Sequence, residues 1–180
     1  MKHTRDMDEN CYPFLYETGA LCDFEVFTDE LCGHLGAALS LLGDADCQDI
    51  RDDLALLQPL AFHANGSVRG RLALDQADID WLKARLAHWR GQPGGQCAGF
   101  VLPRGAQPIP FLHLGRSACK KAIRALVRAE QDAVVVPMEV PRWLNLLCNV
   151  LFVLTLVINH RRGVAEAGFV SRSYGRPLPA

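Results

Sequence analysis

FVLPRGAQPIPFLHLGRSACKKAIRALVR, from Phe100 to Arg128, is the stretch on which the fold turns. It opens on a short apolar run that Pro103, Arg104 and Gly105 break, a combination that reads as a turn. From about Phe111 the period becomes helical. Leu112, Cys119, Ile123 and Leu126 can share one apolar stripe, while Arg116, Lys120, Arg124 and Arg128 recur every fourth residue. Like charges at this spacing repel by about 0.2–0.5 kcal/mol per pair in an isolated helix. Two readings are open for such a stripe: a solvated basic face, or a face that meets something anionic.

Upstream, Phe24, Phe27, Leu31, Leu35, Ala38 and Leu42 recur at three- and four-residue steps and predict a helix from about Phe24 to Leu42. Asp29 falls in its early turns, where a carboxylate suits the helix dipole, and His34 on the same helix reads as structural. The Gly-Asp-Ala-Asp run at 43–46 reads as a helix stop followed by an N-cap. A second helix is expected from Cys47 to His63, with Ile50, Leu54, Leu57 and Leu60 inward. Pro59 should kink it or end it early, and Asn65-Gly66-Ser67 reads as a turn. Asp75 caps a third helix whose buried side is Ile79, Leu82, Leu86 and Trp89, ending before Gln92-Pro93-Gly94-Gly95.

Downstream, an apolar connector with Pro137 leads to Pro141, placed where a first-turn proline is favoured. The fifth helix, Arg142 to about Arg162, is apolar on nearly every face. Asn145, Asn149 and Asn159 interrupt it, leaving less than the ~20 apolar residues a bilayer needs, so it reads as the central helix of a bundle. The expected fold is all-α, a five-helix bundle over residues 24–162, with an irregular N-terminal segment at 1–23 and a flexible tail at 163–180.

Composition narrows the function classes. The length, 180 residues, suits one domain with a continuous core. A net charge of −1 gives no global pull toward nucleic acid or an acidic membrane surface, so neither is expected as a partner. Seven scattered cysteines without a CxxC pair argue against a disulfide framework and against a zinc site, and no metal site is expected. Reduced thiols in a cytoplasmic protein are the simplest account. The start, MKHTRDMDENC, carries acids and no apolar run and does not read as a signal peptide.

Three landmarks carry a family resemblance. Phe100-Val-Leu-Pro followed by His113-Leu-Gly-Arg116-Ser-Ala-Cys-Lys-Lys-Ala-Ile-Arg124 resembles F-x-L-P-G-G … H-x-A-R-T-x-x-R-R-A-E-R. Trp143-Leu-Asn145-Leu-Leu-Cys-Asn149-Val-Leu-Phe152 resembles Y-L-N-R-L-S-D-x-L-F, and Phe24-Glu-Val-Phe-Thr-Asp29-Glu30-Leu31 resembles a shortened V-E-A-Y-G-T-V-D-E-L. These signatures belong to ATP:cob(I)alamin adenosyltransferases of the propanediol-utilisation type.

The resemblance implies a homotrimer that binds ATP, with Mg, between subunits and presents it to a cobalamin. Cobalt(I) attacks the 5′ carbon and displaces triphosphate, so the protein supplies position and charge rather than a base. Asp29 matches an aspartate that pairs across the subunit interface with the first arginine of the basic helix, here Arg116. Phe100 matches a phenylalanine that keeps the lower corrinoid face apolar. The implied catalytic set is Asp29, Arg116 and Phe100, and the implied cofactor-binding set is Asn145, Lys120, Arg124, Phe100 and Asn149.

Departures accompany the matches. A glycine-rich T-R-T-G-D-x-G-T-T phosphate loop is replaced by Thr4-Arg5-Asp6-Met7-Asp8-Glu9-Asn10, whose acids would repel a triphosphate. Lys120 replaces an arginine, keeping charge without the bidentate fork. Ile123, Leu146, Asn149 and Arg104 stand where the pattern has glutamate, arginine, aspartate and glycine. The leading expectation is a divergent adenosyltransferase, with ATP bound weakly or not at all in the family mode. The alternatives are a non-catalytic relative that binds a corrinoid, nucleotide or other anion as sensor or carrier, and a helical bundle that meets a protein partner.

Overall fold

The computed structural model describes residues 4, 6–43 and 45–173. Five helices form the bundle: α1 (Ala20–Leu41), α2 (Gln48–Arg69), α3 (Gln76–Gly91), α4 (Ile109–Gln131) and α5 (Glu139–Arg161). Helix α1 packs between α2 and α4, and α5 packs against α4 and α3. Two ion pairs, Arg128–Asp23 at 2.7 Å and Lys121–Glu30, lock α4 antiparallel to α1.

Helix α3 follows from its sequence directly. Asp75 accepts from the Asp78 N–H and the Asp78 side chain accepts from the Asp75 N–H, both at 3.0 Å, a reciprocal capping box. The face it buries is Ile79, Leu82, Leu86 and Trp89, as the spacing predicts. Trp89 Nε1 and Arg85 Nε each donate to Asp53 Oδ2 of α2 at 2.7 Å, so one buried carboxylate ties α2 to α3.

Helix α5 is apolar and long enough to cross a bilayer, yet 67% of its most apolar window is buried inside the protein, with Trp143, Leu147, Leu151, Leu154 and Ile158 in the core. The asparagines that interrupt it divide by face. Asn145 and Asn149 are exposed. Asn159 is buried and donates to Glu166 Oε1 at 2.8 Å.

Several boundaries differ from expectation. Helix α1 begins at Ala20, inside the segment read as irregular. Helix α2 passes Pro59 and absorbs Asn65-Gly66-Ser67, ending only at Arg69. Pro59 and Ala55 lie on the exposed side, so the Ala55 carbonyl that loses its partner faces solvent. The predicted turn is held helical by tertiary bonds. Asn65 Nδ2 donates to the Glu25 carbonyl at 2.7 Å and to Thr28 Oγ1 at 2.8 Å, and Ser67 Oγ donates to the His63 carbonyl. Pro141 is the third residue of α5, still within the first turn. The cap read at 43–46 depends on Asp44 and the Asp46 side chain, which lie outside the described residues.

A short antiparallel ribbon joins the chain before α4 to the chain after α5. Strand β1 (Phe100–Val101) pairs with β2 (Gly168–Phe169), with Phe100 opposite Phe169. Strand β2 falls in the segment read as a flexible tail, whose proline-rich end at 174–180 lies outside the described residues. Asp53→Ala would strand the Trp89 N–H and the Arg85 guanidinium together. We expect it to destabilise the fold by about 3 kcal/mol, measured by urea unfolding at fixed protein concentration.

Candidate active site

Helix α4 turns a small-residue face inward (Gly115, Ala118, Ala122, Ala125) and its basic stripe outward. The stripe is not uniform. Arg128 is neutralised by Asp23. Lys120 and Arg124 are exposed, and among the described residues neither has an ion-pair partner. Arg116 is half-buried: its guanidinium carbon stands 4.3 Å from the centre of the Phe152 ring, and its Nη1 lies 2.8 Å from His113 Nδ1. Its Nε is buried with no hydrogen-bond partner among the described residues. Within one chain the solvated-face reading therefore fits Lys120 and Arg124, Arg128 is paired, and Arg116 sits in a built slot.

His113 is 8% exposed, and burial, followed by the adjacent Arg116 charge, pushes its pKa down to about 4. It is neutral at pH 7. Cys148 of α5 donates through Sγ toward the Arg116 carbonyl at 3.7 Å, holding the two helices together at this level.

Phe152 has a second neighbour. A cleft of about 390 Å³ lies between α5 (Asn149, Phe152, Leu156) and the 90–97 segment (Arg90, Gln96, Cys97). The Phe152 side chain thus stands between the Arg116 guanidinium and an apolar-floored cleft with Asn149 on its rim. Asn145, one turn earlier, is exposed and donates from Nδ2 to the Pro141 carbonyl at 2.8 Å, leaving Oδ1 outward.

Phe100 lies on β1, 54% exposed, and its cross-strand partner Phe169 is 48% exposed. Two large aromatic side chains share one ribbon, with Leu102 N–H donating to the Ala167 carbonyl at 2.8 Å beyond them. Asp29 is exposed on α1 and makes no ion pair among the described residues. Within one chain, then, Asp29 and Arg116 are not paired. The structure groups Arg116 with Asn149 through Phe152, and sets Phe100, Lys120, Arg124 and Asn145 at the surface.

The motifs contain His113 and Phe152 but do not place either against Arg116, and Phe169 carries no signal at all. His113 lies three residues before Arg116 on the same helix, a spacing at which side chains meet, so a signal for it existed. That Phe152 stacks on Arg116 is a long-range contact with no local signature. Phe169 sat in a segment without periodicity. At the N-terminus the acids form a turn of their own: Asp6 caps the 3₁₀ turn Met7–Glu9, and Asn10 Nδ2 donates to the Thr4 carbonyl at 3.1 Å.

Residues 25–158 match the family described as cobalamin adenosyltransferase. A cobalamin adenosyltransferase of Cupriavidus metallidurans is 36% identical over 142 residues, covering 77% of this chain and 74% of its own length. A corrinoid adenosyltransferase of Mycobacterium leprae is 33% identical over 147 residues, 73% of this chain and 74% of its own. Among solved structures, a phenylalanine-to-histidine variant of a PduO-type ATP:corrinoid adenosyltransferase from Lactobacillus reuteri, complexed with cobalamin and ATP, is similar with a TM-score of 0.73. At 20% identity over 88% of this chain and 87% of that one, this likeness is one of fold. The family model spans most of the bundle, from early α1 to late α5, and the chain belongs to the cobalamin adenosyltransferase family.

Proposed function

We propose that this chain is a corrinoid adenosyltransferase that moves the 5′-deoxyadenosyl group of ATP onto a corrinoid cobalt. In the step, the cobalt(I) electron pair forms a Co–C bond to the 5′ carbon. The C5′–O bond breaks, and its electron pair leaves with triphosphate. The protein must hold the two reactants in line and stabilise the departing negative charge. The observation that carries the reading is Arg116: a half-buried cation held by His113 and Phe152, on the same helix as Lys120 and Arg124, which have no ion-pair partner among the described residues.

Within this reading the residues divide by task. Arg116, Lys120 and Arg124 face the triphosphate of MgATP, whose metal arrives with the nucleotide. Phe100, with Phe169 beside it, offers the apolar surface for the corrin ring, while Asn145 and Asn149 supply donors and acceptors for its amide-bearing rim. Asp29 and Arg116 act as a pair between copies in a homotrimer. An exposed carboxylate on α1 without an ion-pair partner among the described residues, and a half-buried guanidinium on α4 that meets no acid among them, support that pairing. The functional unit is the bundle at 24–162, and seven free thiols support a cytoplasmic location. The acidic turn at Asp6–Glu9 replaces the relatives' glycine loop, so the cations of α4 carry more of the phosphate contact here.

Purified protein given cob(I)alamin and MgATP under reducing conditions should form adenosylcobalamin, followed by absorbance; no product at saturating substrates would refute the activity. Arg116→Ala should lower kcat by about 10²-fold or more. Phe100→Ala should abolish the four-coordinate signal of bound cob(II)alamin while leaving the helical circular dichroism unchanged. Light scattering should give the mass of three chains for the wild type, with dissociation at higher concentration for Arg116→Ala. A monomeric wild type would remove the intersubunit pair.

A further inference from the structure

Arg116 is the central charge of the site, yet among the described residues no carboxylate of its own chain holds it. What does hold it is an imidazole. His113 Nδ1 lies 2.8 Å from Arg116 Nη1, and the Phe152 ring covers the guanidinium at 4.3 Å. A guanidinium carries only donors, so Nδ1 must present the lone pair and Nε2 must carry the proton. An acidic clamp would orient Arg116 and cancel its charge together. A neutral imidazole orients it and leaves its charge available to the Asp29 carboxylate of another copy or to an anionic ligand.

We infer that His113 is a positioning residue for adenosyl transfer: a neutral Nε2–H imidazole that anchors Arg116 Nη1 from within α4 and turns the remaining N–H groups, with the full positive charge, toward the anionic groups of the site. The transfer step rests on the function proposed above; the clamp does not. The burial of His113 supports it. A polar ring 8% exposed is costly unless it is hydrogen-bonded, and an aliphatic side chain would fill the same space without that cost.

The surroundings keep the ring neutral. Burial first and the Arg116 charge second depress its pKa to about 4. On the packed helices, the titratable groups at this level are Cys148 of α5, against the Arg116 carbonyl, and His34 of α1, whose Cβ lies by Gly115. Glu30, one turn from His34, is engaged by Lys121. No carboxylate reaches His113 to favour its imidazolium form among the described residues.

Two substitutions separate positioning from packing. Asparagine places its Oδ1 where Nδ1 stands, whereas leucine fills the volume without an acceptor. His113→Leu should lower kcat by about 10–100-fold with little change in the corrinoid KM, and His113→Asn should recover most of the loss. Equal activities for the two variants, whether high or low, would overturn the assignment. A second measurement needs no variant and no activity. Imidazole ¹⁵N spectra of the wild-type protein should show His113 as the Nε2–H tautomer, without titration between about pH 5.5 and 8. An Nδ1–H tautomer, or titration near the ordinary value of 6.5, would overturn the clamp. An inactive wild type would sink the functional reading, whereas the tautomer decides the clamp.

Discussion

Helix α4 has to lie close to α1 and α5 at once, and small side chains make this possible. Between Ile109, Leu112 and His113 at one end and Leu126 toward the other, its buried positions are small, Gly115, Ala118, Cys119, Ala122 and Ala125, with Ala129 beyond, and they leave little between the helix axes. A Cβ on Gly115 would stand 3.2 Å from Leu151 Cδ1 and 3.6 Å from Leu31 Cδ1, tight against α5 and near α1 together. With the inner face so narrow, the long polar side chains of α4 have only its flanks to occupy. Arg116 is the one of the stripe that the packing draws partly inside, against Phe152. The slot that distinguishes it from an ordinary surface arginine is thus a by-product of how closely the helices approach.

The same spacing sorts the cations. Lys121 and Arg128 lean toward α1 and meet Glu30 and Asp23, so their charge is used in holding the bundle. Lys120 and Arg124 are exposed and meet no acid among the described residues. Exposed ion pairs contribute little to stability, about 0–1 kcal/mol each, so their value here is chiefly in register. They fix the rotation of α4 about its own axis, which determines which lysines and arginines remain for a ligand.

Much of this was legible in the residues. Asp75 followed by Ile79, Leu82, Leu86 and Trp89 announced α3, because the cap and the apolar period both act within a few residues. The apolar stripe through Leu112, Cys119 and Leu126 and the basic stripe beside it announced α4 and its two faces. The end of α2 was not legible, since Asn65-Gly66-Ser67 is a turn by local preference and a helix only because Asn65 bonds to α1. The ribbon escaped notice for a different reason: strands of two residues show no alternation. In the site, Arg116 stood out by its place in the basic stripe and Asn149 only through the family resemblance, but that Phe152 links them depends on how α4 and α5 dock, which no window of sequence contains.

That ribbon also gives the chain a mechanical outline. By joining Phe100 to Phe169 it staples the base of everything between, so α4 and α5, with Arg116 on one and Phe152 on the other, form a hairpin closed into a ring. A two-stranded ribbon of this length has little stability of its own. It can part by a small local opening while the helices above stay packed. The aromatic surface at Phe100 is therefore attached by a short ribbon, and the cation at Arg116 by a helix packed on two others. One reactant would meet a hinged wall, the other a fixed one.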